Sequence, residues 1–80
     1  MSIRHRLIRV FRETLDLAPE VEVESLKYRD LPAWNSVGHM QLVAAIEAEF
    51  ELMLDTEEII AMSSFGEAER TVDRHLAPAA

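Results

Sequence analysis

The chain contains no cysteine. It has no disulfide framework, needs no oxidising compartment, and brings no thiol of its own to any chemistry. Long apolar runs are missing too. After Arg4, Arg6, Arg9 and Arg12 there is neither an extended hydrophobic stretch nor a small-residue cleavage pattern. Neither a signal peptide nor a membrane span is expected, and the cytoplasm is the default location. Cations are scarce after the first dozen residues: from Glu13 to Glu69, Lys27 and Arg29 stand alone against fourteen acids. The formal charge of −7 disfavours a nucleic-acid partner, because phosphates would be repelled. The same acidity could steer a basic partner over long range or simply keep a small protein soluble.

Eighty residues, 49% of them hydrophobic, suffice for one domain spanning residues 1–80, close to the lower size limit for an independent core. Helical periodicity dominates. From Ser2 to about Leu17, the residues Ile3, Leu7, Val10, Phe11 and Thr14 share one face, with Arg6, Arg9, Arg12 and Asp16 opposite. Ser2 is a plausible N-cap, and Pro19 lies just past the end. A second helix runs from about Asn35 to Glu51. A third starts near Asp55, where Asp55 and Glu58 have capping-box spacing, with Ile59, Ile60 and Met62 as its apolar side. Ser64 and Glu67 suggest another capping box, opening a fourth helix with the stripe Phe65, Ala68, Val72 and Leu76 and ended by Pro78.

No strand pattern competes. Val21-Glu22-Val23-Glu24 alternates but has no pairing partner. Residues 18–34 therefore form a long connection, and Val21, Val23, Leu26, Tyr28, Leu31 and Trp34 should anchor it over the bundle. The expected fold class is all-α, a four-helix bundle with a long loop between helices one and two.

The second helix carries two apolar sets. Leu42, Val43, Ile46 and Phe50 should face the core, while Val37, Met40 and Ala44 lie opposite, beside Gln41, Glu47, Ala48 and Glu51. A second strip with acidic flanks suggests docking to other proteins, against the alternative of scattered exposed apolar residues. The strip begins beside Ser36, which follows the N-cap residue Asn35 and so sits at the first helical position. There the helix dipole and the unpaired N–H groups favour an anion, and a phosphodiester on the serine oxygen would rest in a favourable field. On the motif alone, Asn-Ser before an apolar helix is an ordinary cap.

The run Trp34-Asn35-Ser36-Val37-Gly38-His39-Met40, the Ile46-Glu47-Ala48-Glu49-Phe50 helix end, the acidic Asp55-Thr56-Glu57-Glu58 segment and the Ser64 cap together resemble the acyl carrier protein family, over Ile3 to about Val72. The resemblance implies an acyl-carrier-like bundle with 4′-phosphopantetheine, derived from coenzyme A, attached covalently to Ser36. It implies a phosphopantetheinyl transferase, an acyl- or aminoacyl-loading enzyme, and downstream transferases or synthases as partners. A non-catalytic monomer is expected, serving fatty-acid, polyketide or specialised lipid biosynthesis. Docking would use Val37, Met40, Gln41, Ala44, Glu47 and Glu51.

Some positions depart from the family pattern. Asn35 replaces the usual aspartate, removing a charge while preserving a cap. Val37 replaces leucine, and Gln41 stands where carriers of fatty-acid synthesis often have an acid. Trp34 is more typical of specialised stand-alone carriers or aminoacyl carriers, and the basic first helix is atypical. An aminoacyl or peptidyl carrier and an unmodified helical adaptor are the alternatives.

His5, His39 and His75 have no second ligand at helical spacing, so no metal is expected. Ser36 with His39 lacks the orienting acid and oxyanion hole that a hydrolase needs. His39 reads as a residue at a pocket mouth, near the arm, or as a hydrogen-bonded structural histidine. A cargo cavity, as in related carriers, would fall among Val43, Ile46, Leu54, Ile59 and Met62; ordinary core packing is the other reading of those residues.

Overall fold

The structure, a computed structural model, describes residues 2–77. Four α-helices follow one another: α1 (Ile3–Leu15), α2 (Ser36–Phe50), α3 (Thr56–Ala61) and α4 (Phe65–Leu76). Among the described residues no strand forms, and an isolated bridge joins Lys27 to Ser64. The expected helix end at Pro78 lies outside the described residues.

Each helix starts where a short polar side chain satisfies an otherwise unpaired N–H. Ser2 accepts from His5 N–H, Asn35 from Gly38, Asp55 from Glu58 and Ser64 from Glu67. Asp55 and Glu58 complete a reciprocal capping box. Ser64 and Glu67 make only its first half, because the Glu67 carboxylate turns to Arg70 instead.

The first helix stops at Leu15, two residues earlier than its periodicity suggests. Asp16 takes a left-handed conformation (φ 52°) and Leu17 N–H bonds back to the Arg12 carbonyl, which closes the helix. Glu51 (φ 52°) ends α2 in the same way, with Leu52 N–H bonded to the Glu47 carbonyl.

Leu7, Val10, Phe11 and Leu15 of α1 meet Leu42, Val43, Ile46 and Phe50 of α2 and Phe65, Ala68 and Val72 of α4 in one core. Each large side chain removed from water contributes about 1.5–3 kcal/mol before entropy is counted. The long loop is part of this core, with Val23, Leu26 and Trp34 buried and Val21, Tyr28 and Leu31 packed against them. The alternating segment contributes a 3₁₀ turn at Val23–Ser25, which its short valine pattern did not announce.

Two expected stripes need correction. Ile60, assigned to the apolar side of α3, is 75% exposed, while Ile59 is half-buried and Met62 fully buried. Six residues span less than two turns, too few for periodicity to fix a face. On α4, Leu76 is exposed, and Thr71 is buried in the final turns with its hydroxyl donating to the Glu67 carbonyl.

The basic first helix clamps the bundle. Arg4 makes two hydrogen bonds to Glu69 of α4, at 2.8 and 2.9 Å. Arg6 and Arg9 both reach Glu49 of α2, and the Arg6 guanidinium also covers the Phe50 ring at 4.6 Å. Arg12 donates to the Ala18 and Val21 carbonyls and ties down the start of the loop.

Hydrogen bonding to Arg6, reinforced by the charges of Arg9 and Arg6, holds the Glu49 carboxyl below its ordinary value of 4.5. A depressed folded pKa stabilises the fold above the unfolded value, and that contribution disappears as pH falls through the folded value. Glu49→Gln is therefore expected to lower the melting temperature at pH 7 and to lose this effect as pH falls well below 4.5. Paired melts of wild type and variant across that range check it; a gap that stays constant with pH contradicts the assignment.

Candidate functional site

Ser36 is the first residue of α2 and is exposed. The cap beneath it is rigid. Asn35 Oδ1 accepts from Gly38 N–H at 2.9 Å, while Asn35 Nδ2 donates to the Pro32 carbonyl at 3.0 Å. An aspartate could make only the first of these bonds, so asparagine fastens the loop to the helix start through both. The amide of Asn35 is thereby committed to structure, and no acid lies in the first turn.

The loop is folded by local turns that bring its middle beside Ser36. Asp30 Oδ2 accepts from Lys27 N–H at 2.9 Å, and Asp30 N–H donates to the Lys27 carbonyl at 2.9 Å. Tyr28 N–H is tied to the Ser63 carbonyl at 2.9 Å, and Arg29 N–H to the Trp34 carbonyl at 3.0 Å. The Tyr28 hydroxyl consequently lies 3.3 Å from Ser36 Oγ. Hydrogen bonding to Ser36, aided by Arg29, holds the phenol below its ordinary value of 10.0 despite the opposing effect of desolvation.

Trp34 is fully buried and gives this end of the molecule its anchor. Its indole N–H donates to His39 Nδ1 at 3.0 Å, and the two rings stack with planes 15° apart. His39 Nε2 lies 2.8 Å from the Ile59 carbonyl. A carbonyl oxygen only accepts, so Nε2 carries the proton and Nδ1 offers its lone pair to Trp34. Both nitrogens are thus occupied, and neither is free to act as a base toward Ser36 or to bind a metal. His39 bridges the loop, α2 and α3. His75 pairs with Glu58 and His5 with Ser2; among the described residues no cluster of three or more His, Asp or Glu could hold a metal.

Sequence reasoning singled out Ser36 but missed three of its supports. Tyr28 was read only as an apolar anchor, and Arg29 only as a stray charge. Gly38 was read only as part of the motif. It is buried where α2 passes against the loop backbone, and a Cβ there would strike the Ala33 carbonyl oxygen. An isolated glycine inside a helical pattern is the signal that could have revealed this close approach.

The apolar strip emerges as expected at Val37 (67% exposed) and Met40 (53% exposed), with Gln41, Ala44, Ala48 and Glu51 also exposed. Glu47 differs, being half-buried with its carboxylate accepting from Leu54 N–H at 2.9 Å. A cleft of about 220 Å³ opens beside the site, lined by Tyr28, His39, Ile59, Ile60, Met62 and Ser63. Of the residues expected to line a cavity, Ile59 and Met62 do so; Val43, Ile46 and Leu54 are buried in the core.

The residues at Ser36 fit a phosphodiester. The hydroxyl is exposed at the positive end of a fifteen-residue helix, a phenolic O–H stands beside it, and the Arg29 guanidinium lies 5.3 Å from the centroid of that phenol's ring. No protein-family model matches the sequence, and no curated protein matches it significantly. Among solved structures, the chain is similar to the holo acyl carrier protein from Geobacter metallireducens, determined by solution NMR. The match has a TM-score of 0.82 and 26% identity, and covers 96% of this chain and 88% of that one. Fold and match together define an acyl-carrier-like four-helix bundle. In fold, and at 26% identity in sequence, the chain is similar to an acyl carrier protein.

Proposed function

We propose that this chain is a non-catalytic acyl carrier, with residues 1–80 as one carrier domain, carrying acyl intermediates on a 4′-phosphopantetheine arm attached to Ser36. The observation that carries the reading is the exposed Ser36 hydroxyl at the first position of α2, in a bundle matching a holo carrier. The arm, taken from coenzyme A, supplies the thiol on which an acyl group travels as a thioester. The chain's own residues present it. Asn35 and Gly38 fix the helix start, and the positive end of α2 accommodates an anion. A tethered cargo reaches each partner's active site at high local concentration, so the docking contacts themselves need only be modest.

Those partners are a phosphopantetheinyl transferase, a loading enzyme, and downstream transferases or synthases of fatty-acid, polyketide or specialised lipid synthesis. Of the five large apolar residues exposed among the described residues, four (Val37, Met40, Met53 and Ile60) lie from α2 to α3. Val37, Met40, Gln41, Ala44, Glu47 and Glu51 form the proposed docking face, with Glu47 contributing through the α2–α3 connection it braces. No helix among the described residues is long and apolar enough to cross a membrane. We place the carrier in the cytoplasm as a monomer.

The uncharged first turn of α2 favours an aminoacyl or peptidyl carrier as the second reading. Trp34, which the resemblance associates with specialised or aminoacyl carriers, points the same way, and it is wholly inside the core. Incubating the holo protein with acyl-transfer and amino-acid-activating enzymes and their donors separates the two by mass. Acyl loading supports the proposal, whereas loading by amino acids alone overturns it in favour of the second reading. An unmodified adaptor would keep its function in Ser36→Ala, whereas a carrier would lose it.

A further inference from the structure

We propose that Tyr28 and Arg29 form a clasp for the phosphodiester at Ser36, with the Tyr28 hydroxyl donating to a phosphate oxygen and Arg29 placing its positive charge alongside. This rests on the carrier reading and adds two positioning residues to it.

Three independent observations converge here. The first is contact: Tyr28 Oη lies 3.3 Å from Ser36 Oγ, so a group esterified to that oxygen is held within reach of the phenol. The second is rigidity. The Tyr28 ring meets His39 edge-on at 5.5 Å and Trp34 at 6.2 Å, and its backbone N–H is tied to Ser63. Arg29 holds a left-handed conformation (φ 72°), unfavourable for a residue with a Cβ, and its guanidinium carbon lies 5.3 Å from the Tyr28 ring centroid. The third is charge. Lys27 and Arg29, which bracket Tyr28, are the two cations between Glu13 and Glu69. Asp30, the nearby acid in sequence, turns a carboxylate oxygen onto Lys27 N–H, and Asn35 is neutral. Of the two, it is Arg29 whose guanidinium lies against the Tyr28 ring, and the phenol of that ring touches Ser36. A phenolic donor and a guanidinium are the groups that a phosphodiester monoanion binds.

The clasp fixes the root of the arm while leaving its distal part free to swing. Partner enzymes would then meet the arm leaving the domain in a defined direction, so its reach is searched from a fixed origin.

The chain has one tyrosine, so its phenolate absorbance reports Tyr28 alone. In the unmodified protein the Ser36 hydroxyl can donate to the phenolate, and Arg29 favours it further, which holds the phenol below 10.0. Ser36→Ala removes the donor and raises the titration midpoint. In the holo protein the donor is gone and an anion has taken its place, raising the midpoint by about half a unit or more above that of Ser36→Ala. His39, the other titratable ring packed on Tyr28, is present in all three species. A holo midpoint equal to or below that of Ser36→Ala overturns the clasp.

Phosphorus NMR of the holo protein at neutral pH gives a second reading without alkali. Tyr28→Phe and Arg29→Gln should each shift and sharpen the phosphodiester resonance. If both variants leave it unchanged, the clasp is absent. Intact mass distinguishes the two levels: a protein that never gains the arm overturns the carrier reading and the clasp with it, whereas an armed protein with an unperturbed phenol overturns the clasp alone.

Discussion

Trp34→Ala is expected to cost about 3–5 kcal/mol of folding free energy, the range for emptying a fully buried aromatic site. The indole is wholly inaccessible and meets Phe11 edge-on at 5.3 Å, while its N–H is the partner of His39 Nδ1. Truncation opens a cavity and at the same time unpairs a half-buried imidazole that also holds the Ile59 carbonyl. For an 80-residue domain, whose whole stability is roughly 4–12 kcal/mol, this removes a large share of the margin. Trp34→Phe keeps most of the apolar surface and loses the hydrogen bond, so it should fall well short of the alanine cost. Urea titrations followed by far-ultraviolet circular dichroism measure both. Near-wild-type stability of Trp34→Ala contradicts the account of how the loop is anchored.

The two glycines should respond with opposite signs to the same substitution. Alanine is intrinsically better than glycine in a helix by up to about 1 kcal/mol. At Gly66, on α4, an added Cβ meets nothing nearer than 3.7 Å, so Gly66→Ala is expected to be neutral or stabilising. At Gly38 the added methyl is driven into the Ala33 carbonyl and lies 3.3 Å from Leu15 Cδ2. The obstacle is main chain rather than a flexible side-chain tip, so the loop and α2 must separate. Such overpacking typically costs about 1–3 kcal/mol, enough to outweigh the propensity gain. Ser36 is two residues away and Asn35 bonds to Gly38 N–H, so Gly38→Ala should also slow modification at Ser36. Equal stability changes in the two variants, or unimpaired modification of Gly38→Ala, contradict this close approach.

What was legible in the sequence was local. The caps at Ser2, Asn35, Asp55 and Ser64 act over three residues, and the core stripe Leu42, Val43, Ile46 and Phe50 extends over enough turns to declare its face. Those features gave the four helices and placed Ser36 at the start of α2. What escaped depends on chain segments meeting in space. Arg4 binds Glu69 and Arg6 binds Glu49, pairings across 65 and 43 residues that no charge pattern specifies. The contact between Tyr28 and Ser36 depends on the Lys27–Asp30 turn, on the left-handed Arg29 and on a bond to Ser63. The face of α3 was misassigned at Ile60 because a six-residue helix takes its orientation from neighbours, here through His39 and the Glu58–His75 pair. The asparagine in place of the usual aspartate was visible, but its second bond, to the Pro32 carbonyl, was not.

The most direct test of the central claim is an intact mass spectrum after incubation with coenzyme A and each of several phosphopantetheinyl transferases, with Ser36→Ala treated in parallel. The account predicts the gain of one phosphopantetheine by the wild-type protein and no gain by the variant. A wild-type protein left unmodified by every transferase, or a gain that persists in Ser36→Ala, would contradict it.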